Sequence, residues 1–155
     1  MPRKKFSYVD PHYCRVMMVK DAPVALGEPL KGPAGLAALV LAHVDGLPRE
    51  AVYSVPLDAR RRPLAVVQVS VGTLTQSLAH PREIFQPVLL AGGAAVALAV
   101  LHNHPSGNPS PSPDDHALTR RLRESAEILG IPLVDHIIVG AEGTFFSYAD
   151  SGWPR

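Results

Sequence analysis

The chain has a single cysteine, Cys14, among 155 residues, which excludes an intrachain disulfide and any zinc site built on two or more thiolates. A bound metal would have to be held by histidine and carboxylate. Aromatic residues make up 6% and charged residues 19%, against 46% apolar residues, so there is ample material for a core and too little charge density for a disordered tail. Fifteen Lys and Arg stand against fourteen Asp and Glu, a formal net charge of +1, and no global attraction to nucleic acid or membrane follows. The run Val88 to Leu101, free of charged and strongly polar residues, holds fourteen residues including Gly92 and Gly93. That is short of the roughly 18 needed to span a bilayer. The opening Met-Pro-Arg-Lys-Lys-Phe has no apolar secretion segment, and the expectation is a soluble, cytoplasmic protein. Neither an internal repeat nor a domain linker is visible. The length suits one compact domain over residues 13–155 behind a loose basic arm, 1–12.

Proline, in contrast, is abundant. Sixteen residues are proline, about twice the usual ~5%, and four of them (Pro105, Pro109, Pro111, Pro113) fall within nine positions. Around this segment the elements read as follows. Tyr13 to Lys20 is expected to be a strand, Asp21 to Pro33 a connection, and Ala34 to Val44 a helix that stops near Asp45-Gly46. Ala51 to Leu57 and Leu64 to Val71 flank a charged turn and read as an antiparallel hairpin. Pro56 in the first run demands an edge, a bulge, or an amide pointing away from the partner. Pro81 opens a helix to Leu90 in spite of Pro87, and Ala94 to Leu101 reads as a strand buried on both faces. Ser112 to Leu129 is the longest expected helix, with Gly130 just past its end. Leu133 to Val139 and Thr144 to Tyr148 are the last two strands. The fold class is then α/β or α+β, a mixed central sheet flanked by helices.

The buried strand runs straight into His102-Asn103-His104. Side chains at i and i+2 of a strand share a face, so both imidazoles can reach one ion while Asn103 points the other way. Eleven positions on, Asp115 stands at the start of the long helix, and the Pro/Gly loop between them can fold that helix end over the strand end. Two His and one carboxylate around a divalent ion leave a position open for water, the layout of a catalytic zinc site. Asp115 also has a plainer explanation: in Ser112-Pro113-Asp114-Asp115 it sits three residues after an N-cap serine, as in a capping box. The two readings are compatible, since an anchored helix start is a sound place from which to aim a ligand.

His102-x-His104, seven residues, Ser112, two residues and Asp115 resemble the signature of the JAMM (MPN-type) zinc metallohydrolases. The strings His-Asn-His-Pro-Ser-Gly (102–107), Pro-Ser-x-x-Asp (111–115), Leu-Thr-Arg-Arg-Leu (118–122) and Asp-His-Ile-Ile-Val (135–139) resemble the RadC-like branch, as do Gly72-Thr73 and His80-Pro81-Arg82-Glu83-Ile84-Phe85 upstream. The likeness covers about two-thirds of the chain, residues 50–148, and implies a JAB/MPN-like layered sandwich of cytidine-deaminase-like architecture. It also implies one Zn²⁺ per chain held by His102, His104 and Asp115. Glu50 would take a proton from a metal-activated water and return it to the leaving amine, and the Ser112 hydroxyl would hydrogen-bond the developing oxyanion. Asp45 and Glu83 are rivals for the role of Glu50. Asp135-His136 reads equally as a structural pair or as a group behind the ligands, and His12, His43, His80 and His116 have no partner at ligand spacing.

The resemblance implies a hydrolase acting on a peptide or isopeptide-linked protein substrate. A DNA-associated accessory role, suggested by the naming of RadC-like proteins after DNA repair, has only Arg60-Arg61-Arg62, Arg120-Arg121 and Arg123 in its favour; no helix-hairpin-helix pattern is visible in residues 1–49. A third reading is a silent metal-binding scaffold. The zinc deaminases are excluded, because their Pro-Cys-x-x-Cys element needs two cysteines.

Overall fold

A computed structural model describes residues 28–44, 46–72 and 79–154. The expected strand Tyr13–Lys20, the arm 1–12, Cys14, His12 and Asp45 lie outside these residues. Five strands, β1 (Ala51–Leu57), β2 (Val67–Val71), β3 (Ala97–Asn103), β4 (Leu133–Val139) and β5 (Phe145–Ser147), form one mixed sheet in the order β2-β1-β3-β4-β5. Only β3 and β4 are parallel; the other neighbours are antiparallel. Helix α1 (Gly32–Val44) covers one face, and α2 (Pro81–Leu90) and α3 (Pro113–Leu129) cover the other. A one-turn helix, α4 (Tyr148–Ser151), follows β5. This is an α+β fold. Among the described residues no helix is long and apolar enough to cross a membrane.

Strand alternation sorts the side chains. Ala97, Ala99 and Leu101 of β3 join Tyr53, Val55 and Leu57 of β1 under α1, while Leu98 and Val100 pack with Ile84, Phe85, Val88, Leu118 and Leu122 from α2 and α3. The strand is buried along its whole length, which explains why its composition shows no polar alternation. Leu122 is fully buried, and truncation to alanine there would cost about 2–5 kcal/mol.

The expected elements are displaced at their ends for local reasons. Gly92–Ala94 is a 3-10 turn, so β3 starts at Ala97 and runs on through His102 and Asn103. The second arm of the hairpin starts at Val67 rather than Leu64, since only the isolated bridge of Leu57 to Pro63 holds the strands together near the turn. β5 ends at Ser147 because Ser147 caps α4, accepting from the Asp150 amide. Pro56 lies within a central strand. Its carbonyl accepts from Leu64 N at 2.9 Å, so its missing N–H faces the hairpin side, where the regular ladder has ended, and not β3.

Two helix starts are built by capping boxes. His80 Nδ1 accepts from Arg82 N at 3.2 Å and His80 N donates to Glu83 Oε2 at 3.1 Å, which opens α2 at Pro81. Ser112 and Asp115 form the same reciprocal pair at α3. Gly130, in the left-handed region at φ 66°, ends α3 as the sequence expects. At Gly140 a Cβ would collide with the Gly107 carbonyl, so glycine there lets the loop after β3 sit on the β4–β5 turn.

Candidate metal centre

The antiparallel pairing of β1 with β3 sets Val52 opposite His102, so the residue entering β1, Glu50, lies beside the carboxyl end of β3. The parallel step from β3 through α3 to β4 brings the N-terminus of α3 over that same end. Glu50, His102, His104 and Asp115 each direct one ligand-type atom inward, all within 4.8 Å of one another. His102 Nε2 is 3.1 Å from His104 Nε2 and 3.0 Å from Asp115 Oδ1, and His104 Nε2 is 3.2 Å from Asp115 Oδ2. Glu50 Oε1 stands further back, 3.4 Å from His102 Nε2 and 3.9 Å from His104 Nε2.

The donor set fits a small divalent cation. Ligand atoms about 2.0–2.1 Å from a tetrahedral ion are about 3.3–3.4 Å apart, within a few tenths of an ångström of the separations of the two nitrogens and the Asp115 oxygens. Asp115 is buried, and its Oδ1 has no hydrogen-bond partner; its approach to His102 lacks hydrogen-bond alignment. An orphaned buried carboxylate oxygen is costly, and a cation held among these groups would supply its partner. Asp115 Oδ2, by contrast, accepts from Ser112 N and Ser112 Oγ, both at 2.7 Å. The Asn108 carbonyl, 2.8 Å from His104 Nδ1, can only accept, so Nδ1 carries a hydrogen, and it is Nε2 that sheds its proton to turn a lone pair inward when the ring is neutral.

Burial alone would raise Asp115, but the adjacent His102 and His104 nitrogens outweigh it and hold the carboxyl well below the usual carboxylate range. His104 is pushed up, chiefly by its hydrogen bond with Asp115. Glu50 is pushed up by burial, partly offset by His102. A half-buried carboxylate with a raised pKa, set back from the three closest donors, suits a proton carrier better than a tight ligand.

Asn103, between the two histidines, holds Glu50 in place. Its Oδ1 accepts from Ala51 N at 2.8 Å and its Nδ2 donates to Arg49 O at 3.0 Å, so one carboxamide grips the backbone on both sides of Glu50. The Glu50 carbonyl also accepts from Gly72 N at 2.7 Å. The rival Glu83 is occupied in the α2 capping box. Sequence reading missed this use of Asn103, whose only signal was its position on the face opposite the histidines.

The pair Asp135-His136 divides. Asp135 accepts from His136 N, Ser147 Oγ and Ala149 N at 2.7, 2.6 and 3.0 Å and fastens β4 to β5 and α4. His136 reaches the other way, with Nε2 2.9 Å from His102 Nδ1. Burial holds its pKa well below the ordinary histidine value. Thr119, also missed, bridges His136 and the Asp115 carbonyl; it lies one helical turn after Asp115. His80 is a helix cap, and His116 Nδ1 is 2.9 Å from the Tyr148 hydroxyl. Of the arginines in the hairpin turn, Arg62 pairs with Asp58 at 2.7 Å, which removes one charge from the cluster that a nucleic-acid role would need.

The RadC-like JAB domain matches residues 30–153. A UPF0758 protein of Trichlorobacter lovleyi is 50% identical over 104 residues, 67% of this chain and 44% of that protein. One from Moorella thermoacetica is 45% identical over 118 residues, 76% of this chain and 50% of its own length. One from Syntrophotalea carbinolica is 42% identical over 130 residues, 84% and 56% respectively. The chain thus spans about half the length of the curated relatives it matches. The matched stretch contains the whole four-residue cluster, its helix cap and the sheet that assembles them, and on that ground the chain belongs to the RadC-like JAB-domain family.

Proposed function

We propose that this domain is a zinc-dependent hydrolase that cleaves a peptide or isopeptide amide in a protein substrate. The observation that carries the reading is the convergence of Glu50, His102, His104 and Asp115 on one point, with an orphaned Asp115 oxygen directed into it. His102, His104 and Asp115 would hold the ion. Bound zinc supplies Lewis acidity, which polarises a carbonyl and makes water a nucleophile near neutral pH.

The protein's own groups do the rest. Glu50, tethered through its backbone by Asn103, takes the proton of the attacking water and delivers it to the departing amine nitrogen. Its raised pKa brings it nearer the working range of a general base that must also act as an acid. The Ser112 hydroxyl, which donates to Asp115 Oδ2 in this structure, assists an oxyanion by turning that O–H toward the carbonyl oxygen.

Two measurements test the reading. Chain purified without chelator should carry one zinc by elemental analysis, and zinc at 100 times its Kd should stabilise it by about 2.7 kcal/mol, a shift of several degrees in Tm. A peptide and isopeptide library should be cleaved by wild type and not by Glu50→Gln, with zinc retained in the variant. A chain that neither carries zinc nor gains stability from it ends the hydrolase reading.

A further inference from the structure

We propose that Thr119 and His136 are positioning residues that dictate which nitrogen of His102 carries its hydrogen, so that His102 Nε2 is held as a lone pair toward the metal. This rests on the metal-centre reading above. It follows from counting hydrogens along a chain of four groups. The Thr119 hydroxyl has one hydrogen, and the Asp115 carbonyl, 2.6 Å away, can only accept; the hydrogen is therefore committed there, to the i−4 carbonyl of α3. The Thr119 oxygen has only lone pairs left for His136 Nδ1 at 2.7 Å. His136 must then carry a hydrogen on Nδ1.

His136 Nε2 lies 2.9 Å from His102 Nδ1, and two arrangements remain. If His136 also had a hydrogen on Nε2, it would be a cation at a position shut off from water. Neutral His102 would then accept on Nδ1 and place its own hydrogen on Nε2, aimed at Asp115 and His104. If His136 is neutral, its Nε2 accepts and His102 donates from Nδ1; a neutral His102 then has its one ring hydrogen there, and Nε2 is free to ligate. Only the second serves a metal, and only the second leaves both buried rings uncharged. Thr119, His136 and His102 are all fully buried, so water cannot substitute for any link. The Tyr148 ring, stacked on His136 with centroids 5.3 Å apart and an interplanar angle of 19°, keeps the imidazole from turning. The relay starts on the backbone of one ligand, Asp115, and ends on the ring of another, His102.

The test uses the full chain with ¹⁵N-labelled histidine, before and after zinc, read through the two-bond hydrogen–nitrogen correlations of each ring. Expected is an Nδ1–H, Nε2-unprotonated form of both His136 and His102 already in the metal-free chain. An Nε2–H on either ring overturns the proposal. In chelator competition, Thr119→Val should weaken zinc binding about 10–100-fold, and Thr119→Ser, which keeps the hydroxyl, should restore it. Unchanged affinity in folded Thr119→Val overturns the relay and leaves the metal centre standing. Absence of zinc binding in wild type instead removes the proposed function, and the metal-free ring spectrum still decides the relay. Should Thr119→Val not fold, the wild-type spectrum decides alone.

Discussion

Ser112 gives both its amide and its hydroxyl hydrogen to one carboxylate oxygen of Asp115. The pair that starts α3 is therefore also the pair that aims a candidate ligand: with Oδ2 fixed by the serine, Oδ1 faces the centre. Helix capping uses one oxygen of the side chain and leaves the other for a cation.

Ser112→Ala should then show two losses at once. Removing the cap costs about 1 kcal/mol, measured by urea unfolding of the metal-free chain. Loss of the oxygen-fixing contact should weaken zinc about tenfold, measured by chelator competition. Zinc binding as tight as wild type in the destabilised variant would show that the cap and the ligand orientation are independent.

Asn103→Ala removes the group that holds the Ala51 amide and the Arg49 carbonyl. The buried Ala51 amide left unpaired costs about 1–3 kcal/mol, which a shift in the urea midpoint will report. Because Asn103 faces away from the ligands, zinc content should stay at one per chain while amide cleavage falls with the displacement of Glu50. Loss of zinc from a folded variant contradicts this division of labour.

Glu50 is raised, first by burial, so the folded state favours its protonated form. Its contribution to stability is full below the ordinary glutamate value and is lost as pH rises through the raised one. Metal-free Glu50→Gln should accordingly melt above wild type at pH 7, with the gap closing as pH falls toward about 4. Differential scanning calorimetry reads both ends, and a wild type that is the more stable at pH 7 contradicts it.

His104 is raised through its hydrogen bond with Asp115, and in the metal-free chain the stability this contributes is full below about pH 6.5 and fades as pH rises through the raised value. A metal must displace that proton. Zinc affinity should drop about tenfold per pH unit below the raised value and level off above it, with Asp115 adding no slope because it stays ionised. Competition titrations across the range settle the slope; affinity flat in pH would place the displaced proton elsewhere.

Local chemistry made much of this molecule legible. Pro81 and Ser112 mark helix starts because caps and proline act within one turn, and Gly130 marks an end because its left-handed φ suits no other residue so well. The spacing of His102 and His104 is likewise a property of one strand, and Asp115 of one capping box. The strand ends were less legible, since the 3-10 turn at Gly92–Ala94 and the single bridge at Leu57–Pro63 depend on how neighbouring strands meet.

The sequence by itself determined the candidate ligand types and the two short segments that carry them, because those patterns are written within one short stretch of chain. Only the tertiary structure decided that Glu50 joins them: β1 runs antiparallel to β3 with Val52 opposite His102, a pairing across fifty residues that no local periodicity encodes. It also decided that Asn103 grips the backbone around Glu50 and that Thr119 and His136 stand behind His102. Hydrogen bonds between strands and helices distant in sequence exist only once the sheet has set its register.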